Sequence, residues 1–175
     1  DKKDGYFRIT LIDFEGKKVY YEVHGEAGEP LVILNGIMMS TNSWKPMMKN
    51  LTKNNVVILV DFLDQGQSSR MTESYNHAIQ VRLLHTLFTL LPYEKYNIMG
   101  ISYGGEVAIQ YAVAHPECVR RLVLANTCGR TSDWLRKIGD GSNAVARTGD
   151  GLAYYLTTKP DSYSTCFYEK EAASR

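Results

Sequence analysis

The sequence predicts an α/β fold: a mostly parallel sheet, opened by an antiparallel hairpin and covered by helices on both faces. Three observations carry this. Short continuous apolar runs, residues 31–34 and 56–60, have the character of strands buried on both faces. Longer segments with apolar residues at helical spacing alternate with them, joined by short loops. Near the start, two strand-like runs flank Glu15-Gly16-Lys17, which supplies a turn.

The elements follow in order. Residues 7–12 and 18–23 form the hairpin strands. Leu31-Val32-Ile33-Leu34 is a buried parallel strand, and residues 44–51 form a short helix. Val56-Val57-Ile58-Leu59-Val60 is the clearest strand, ended by Asp61. Residues 73–91 form one long helix, because Ile79, Leu83, Leu84, Leu87, Phe88 and Leu91 recur at its period. Residues 96–99 are a strand. Val107, Ala108, Tyr111, Ala112 and Ala114 then mark a helix closed by His115-Pro116. Residues 122–125 are the last strand. After Asn126 the composition changes. Residues 131–175 carry Trp134, Tyr154, Tyr155, Tyr163, Phe167 and Tyr168 with no strand signal, and read as helices over the strand ends. Two Gly-Asp-Gly triplets, at 139–141 and 149–151, read as helix ends or turns.

Composition narrows the function classes. The 175 residues are enough for one sizeable core, and a 44% hydrophobic content argues for a globular chain. A net charge of +1 gives no reason to expect nucleic acid or an anionic membrane as partner. No run approaches a membrane span, and no secretory signal is visible. Cys118, Cys128 and Cys166 lack metal-binding spacing and suit reduced thiols in a cytoplasm.

Gly100-Ile101-Ser102-Tyr103-Gly104-Gly105 carries the chemistry. It reads G-x-S-x-G between a strand-like and a helix-like run. Small residues around the serine permit a sharp turn that projects its hydroxyl at the sheet top. The same turn sets the Tyr103 N–H at a helix N-terminus, where an oxyanion forms. A second donor comes from the loop after an earlier strand, Asn35-Gly36-Ile37-Met38. Gly36 permits the close approach and Ile37 supplies the N–H. Removing one such donor typically costs ~3 kcal/mol of transition-state stabilisation. Gly36, Met38 and Trp44 are the candidate pocket residues. Residues 61–68 lie at the next strand end, where Asp61 and Asp64 cap backbone N–H groups and shape the turn.

Together Asn35-Gly36, the 61–68 loop, the 100–105 elbow and Ala114-His115-Pro116-Glu117 resemble the α/β-hydrolase superfamily, in its lid-bearing serine esterase and peptidase branch. The resemblance covers residues 1–130 as the N-terminal part of the core and 131–175 as the start of the helical lid; the C-terminal core strands are absent. It implies an incomplete α/β-hydrolase fold, a nucleophilic Ser102, and an oxyanion hole of the Ile37 and Tyr103 amides. It implies no metal or organic cofactor, and a small-molecule acyl substrate. A serine at the elbow, not an aspartate, separates the chain from dehalogenase and epoxide hydrolase relatives. The chain departs from the family pattern at Asn35, where His is common, and at Leu63-Asp64, where Arg-Gly is common. Neither change touches a backbone donor, but both bear on the pocket rim.

The triad order in this family is serine, acid, histidine. The only histidine after Ser102 is His115, on the outgoing helix and roughly 15–20 Å away. His24 falls on the second strand, and His77 and His85 on the long helix; none is expected to serve as base. The acid and histidine are thus missing from this chain. Three accounts stand open: a piece of a longer hydrolase, a short non-catalytic ligand-binding or interaction module, or completion by another chain. The first carries the expectation that the 175 residues alone are inactive. The sequence does not fix the oligomeric state.

Overall fold

The computed structural model describes residues 7–162, 164–166 and 169. The hairpin consists of β1 (Phe7–Phe14) and β2 (Lys17–His24), with Phe14 opposite Lys17 and Phe7 opposite His24. Its turn is two residues long. Glu15 (φ 51°) and Gly16 (φ 76°) both take left-handed backbone, the arrangement that suits the twist of a tight hairpin. The Gly16 N–H donates to Asp13 Oδ1 at 3.2 Å and fixes the corner.

The hairpin joins a six-stranded sheet through β2, which runs antiparallel to β4 (Asn55–Val60). Strands β3 (Glu29–Leu34), β5 (Tyr96–Ile101) and β6 (Val119–Ala125) complete the order β1-β2-β4-β3-β5-β6, with the last four parallel. The predicted class, a mostly parallel sheet behind an antiparallel hairpin, is the observed one. Alternation along the strands divides the core. Val32, Leu34, Ile58, Val60 and Ile98 pack with Leu83, Leu84, Leu87, Val107 and Tyr111 from α2 (His77–Leu90) and α3 (Tyr103–Ala114). Ile33, Val57 and Leu59 face the other way, against Trp44. Both faces of the parallel strands are buried, which is why they read as unbroken apolar runs.

Two elements differ from expectation. The segment predicted as one helix over 44–51 is a 3-10 helix, Thr41–Met47, followed by the short α1 (Met48–Leu51). Pro46 lies within the first piece and has no N–H to extend an α ladder. The long helix starts at His77, four residues later than its periodicity suggests. Asn76 is extended (φ −117°, ψ 178°) and its side chain accepts from the Ala78 N–H at 3.0 Å, so it is the N-cap. Leu91, also extended, ends the helix just before Pro92.

The chain divides into two compact units, Asp1–Gly129 and Arg130–Arg175. The second contains α4 (Asp133–Ala146) and α5 (Gly151–Ser162). Ser132 caps α4 by accepting from the Leu135 N–H at 3.2 Å. The triplet Gly139-Asp140-Gly141 lies inside α4 and not at a helix end. The second triplet does turn the chain: Gly149 has φ +74°, and Asp150 Oδ1 accepts from the Ala153 N–H at the start of α5. Trp134 and Tyr155 are exposed. Tyr163, Phe167 and Tyr168 lie outside the described residues.

Candidate active site

Ser102 sits between β5 and α3 with φ 50° and ψ −117°, a backbone conformation that side chains beyond glycine seldom adopt. Its side chain is exposed. The surroundings hold this conformation. The Ser102 N–H donates to the Ala125 carbonyl at 2.9 Å, and the Thr127 hydroxyl donates to the Ser102 carbonyl at 2.8 Å. Two glycines make the turn sterically possible. A Cβ on Gly100 would stand 2.5 Å from the Gly104 carbonyl oxygen and 2.6 Å from Gly105 Cα. A Cβ on Gly104 would stand 2.3 Å from the Leu34 carbonyl oxygen. Helix α3 therefore leaves the elbow pressed against β3.

That contact brings the loop after β3 to the serine. A Cβ built on Gly36 would lie 3.5 Å from Ser102 Cβ and 3.4 Å from the Ile101 carbonyl. The Met39 N–H donates to the Gly36 carbonyl at 3.3 Å and closes a turn in which Met38 takes φ +63°. The first amides of α3 have no helical acceptor. Among the described residues, neither the Tyr103 nor the Ile37 N–H donates to a loop or cap acceptor.

A cleft of about 550 Å³ opens beside these two residues. Ile37, Met38, Leu63 and Tyr103 form apolar wall, while Asp64, Tyr75 and His77 form a polar side. Ile37 and Met38 are largely exposed, as residues of an open rim. Burial pushes the Tyr103 phenol up, so this wall carries no charge at neutral pH. Asp64 is spoken for: it accepts from the Met71 N–H at 2.8 Å and the Tyr75 hydroxyl at 2.6 Å. Asp61 likewise accepts from Thr41 N at 2.8 Å and Gln67 N at 2.9 Å, the capping role expected of it.

The predicted site residues thus fall into two groups. Ser102, Gly36, Ile37, Met38 and Tyr103 come together around the elbow and cleft. Trp44 does not. It is buried on the opposite sheet face with Ile33, Val57 and Leu59, and its indole N–H donates to Asn35 Oδ1 at 2.7 Å. Trp44 is a core residue and does not line the cleft, which corrects the sequence expectation.

His77 joins the cleft unexpectedly. As the first residue of α2, it lays its ring 4.8 Å from the Tyr103 ring, and Nε2 comes within 2.9 Å of Glu106 Oε2. The two approach without a formed hydrogen bond, since Nε2 has no partner at hydrogen-bonding angles among the described residues. The signal was the Asn76 cap, which sets where α2 begins. The other histidines lie elsewhere. His115 caps the far end of α3, about 18 Å of helix away, and stacks on His85 at 3.9 Å. His24 lies on β2, 2.7 Å from Glu22. Among the described residues, the Ser102 hydroxyl has no hydrogen-bond partner, no three His, Cys, Asp or Glu side chains group to hold a metal ion, and no helix is long and apolar enough to cross a membrane.

A strand–turn–helix elbow beside a loop donor, on this sheet order, belongs to a known family. The model of the alpha/beta hydrolase fold family matches residues 29–170, and the chain belongs to that family. Among solved structures it is similar to MGS-M2, an alpha/beta hydrolase enzyme from a Medee basin deep-sea metagenome library, at 46% identity and a TM-score of 0.90. That match covers 94% of this chain and 61% of the other. Among curated relatives, proline iminopeptidase of Lactobacillus acidophilus is 32% identical over 133 residues, 71% of this chain and 45% of the relative. The 2-hydroxymuconate semialdehyde hydrolase of Pseudomonas sp. is 35% identical over 107 residues, 59% of this chain and 38% of the relative. The chain therefore spans less than half the length of these curated relatives.

Proposed function

We propose that this chain is the nucleophile-bearing part of a serine hydrolase that acts on an ester, thioester, amide or similarly activated carbonyl through an acyl-enzyme. The observation that carries the reading is Ser102 itself. It is an exposed hydroxyl on a strained turn, at the start of a helix whose first amide is free, beside a second free amide and an open cleft. The hydrolase relatives support the reaction class.

In this mechanism Ser102 Oγ attacks the substrate carbonyl carbon while its proton passes to a histidine acting as general base. The Ile37 and Tyr103 amides donate to the resulting oxyanion. Collapse of that intermediate expels the alcohol, thiol or amine, which takes up the histidine's proton. Water then attacks the acyl-serine, releases the carboxylic acid and restores the hydroxyl. The acyl part of a small-molecule substrate rests on Ile37, Met38 and Leu63. No step calls for a metal or organic cofactor. Three free cysteines fit a reducing cytoplasm.

A fluorophosphonate probe tests the reading in the full-length protein. Labelling that disappears in Ser102→Ala is expected; a folded parent that resists the probe sinks the proposal. The 175-residue chain alone should show negligible ester turnover, because among the described residues the Ser102 hydroxyl has no hydrogen-bond partner to take its proton.

A further inference from the structure

Beneath the Gly36–Ile37 peptide lies a chain of buried amides that the reaction scheme does not use. Asn35 is 1% exposed and Gln65 9% exposed. Their orientations are fixed by neighbours of unambiguous chemistry. The Phe62 N–H, which can only donate, reaches Gln65 Oε1 at 3.2 Å. The other end of that amide is therefore the nitrogen, and Gln65 Nε2 donates to the Gly36 carbonyl at 3.1 Å. The same logic orients Asn35. The Trp44 indole, a donor only, reaches Oδ1, and Nδ2 donates to the Val60 carbonyl at 2.9 Å and to Gln65 Oε1 at 3.3 Å. Trp44, Asn35 and Gln65 thus form a directed relay from the core to one peptide group.

The peptide group is planar and trans, so its carbonyl and N–H point in opposite directions. With the Gly36 carbonyl held by Gln65 Nε2 and Met39 N, the Ile37 N–H is turned away from Gln65. The peptide cannot flip without breaking both bonds. Resting on the serine hydrolase reading above, we infer that Gln65, braced by Asn35, is a positioning residue that sets the orientation of the Ile37 donor in the oxyanion hole. It acts through backbone and takes no part in bond making.

Gln65→Glu in the full-length protein tests this, because it removes one bond of three. Ionised, the carboxylate accepts from Phe62 N and Asn35 Nδ2 but sets an oxygen against the Gly36 carbonyl. The variant is therefore assayed on the alkaline limb of its pH profile, where a neutral carboxyl no longer donates in place of Nε2. With p-nitrophenyl acetate, kcat should fall about tenfold to a hundredfold, as for a small misplacement of a catalytic donor. KM should stay within about twofold, since the lost interaction belongs to the transition state. Hydrogen exchange at the Met39 amide, which donates to the Gly36 carbonyl, should quicken. A folded variant with parental kcat overturns the inference, as does a loss confined to KM. Should Gln65→Glu fail to fold, Gln65→Met keeps the side-chain length without charge, and the same outcomes decide. Should the parent resist the fluorophosphonate probe, the hydrolase reading fails separately. Met39 exchange unchanged in the variant then overturns the clamp, and faster exchange upholds it as a device that orients the Gly36–Ile37 peptide.

Discussion

The conformation of Ser102 makes a quantitative prediction that activity assays do not reach. At φ 50° and ψ −117° the Cβ is crowded by its own backbone, a cost of about 1–3 kcal/mol for a residue other than glycine. Ser102→Gly removes that crowding. It also frees the unfolded chain, which costs about 0.5–1 kcal/mol. The serine side chain is exposed and makes no hydrogen bond among the described residues, so little else is lost. The glycine variant should therefore be about 1 kcal/mol more stable than Ser102→Ala, which keeps the Cβ and the crowding. For a domain of this general size that corresponds to roughly 2–4 °C in Tm. Both variants lose the hydroxyl, so their paired thermal unfolding isolates the backbone term. A glycine variant that melts at or below the alanine variant would refute the strain argument.

Two further predictions concern the same region. Gly104→Ala would set a methyl 2.3 Å from the Leu34 carbonyl and 2.7 Å from the Asn35 carbonyl, both backbone that has no side-chain freedom to yield. A loss of at least about 3 kcal/mol is expected in urea unfolding, and a variant within ~1 kcal/mol of the parent would contradict the packing described. Asp61 supplies a pH signature. Burial raises its carboxyl above the usual 3.8, against the lowering by the Gln67 and Thr41 amides. The folded state then holds the proton more tightly than the unfolded state, so stability falls as pH rises from about 3.8 through the raised value and levels off above it. Asp61→Asn lacks that slope, and the parent's advantage over it should shrink across this window. An advantage that grows with pH would reverse the sign and refute the assignment.

The parts of this fold legible in the sequence are those whose cause is local. Val56-Val57-Ile58-Leu59-Val60 reads as a strand from its unbroken apolar run, and the elbow is recognisable because Gly100 must clear Gly104 and Gly105 a few positions on, although Gly104 itself answers Leu34 of β3. The capping of α2 by Asn76 was equally local; the apolar stripe begins only at Ile79, inside α2, and does not mark where the helix starts. Trp44 fails for a different reason. An aromatic after a strand-end loop suits a pocket wall and a core equally well, and the choice depends on Asn35, whose oxygen accepts the indole N–H. His77 meets Glu106 across 29 positions, a proximity created only when α2 packs beside α3.

Asn35 and Leu63-Asp64 show how the same limit governs the site. Both depart from the family pattern, and from sequence both bore on the pocket rim. Leu63 and Asp64 do line the cleft. Asn35 is buried below it, where a donor and an acceptor on one short side chain satisfy Val60, Gln65 and Trp44 together. Its partner Gln65 stands 30 positions away, and no periodicity or motif couples the two. A buried amide pair is costly unless each polar atom finds a partner. Here Gln65 Nε2 finds its acceptor in the Gly36 carbonyl. The departure at Asn35 therefore belongs to the support of the Gly36–Ile37 peptide, one layer beneath the cleft.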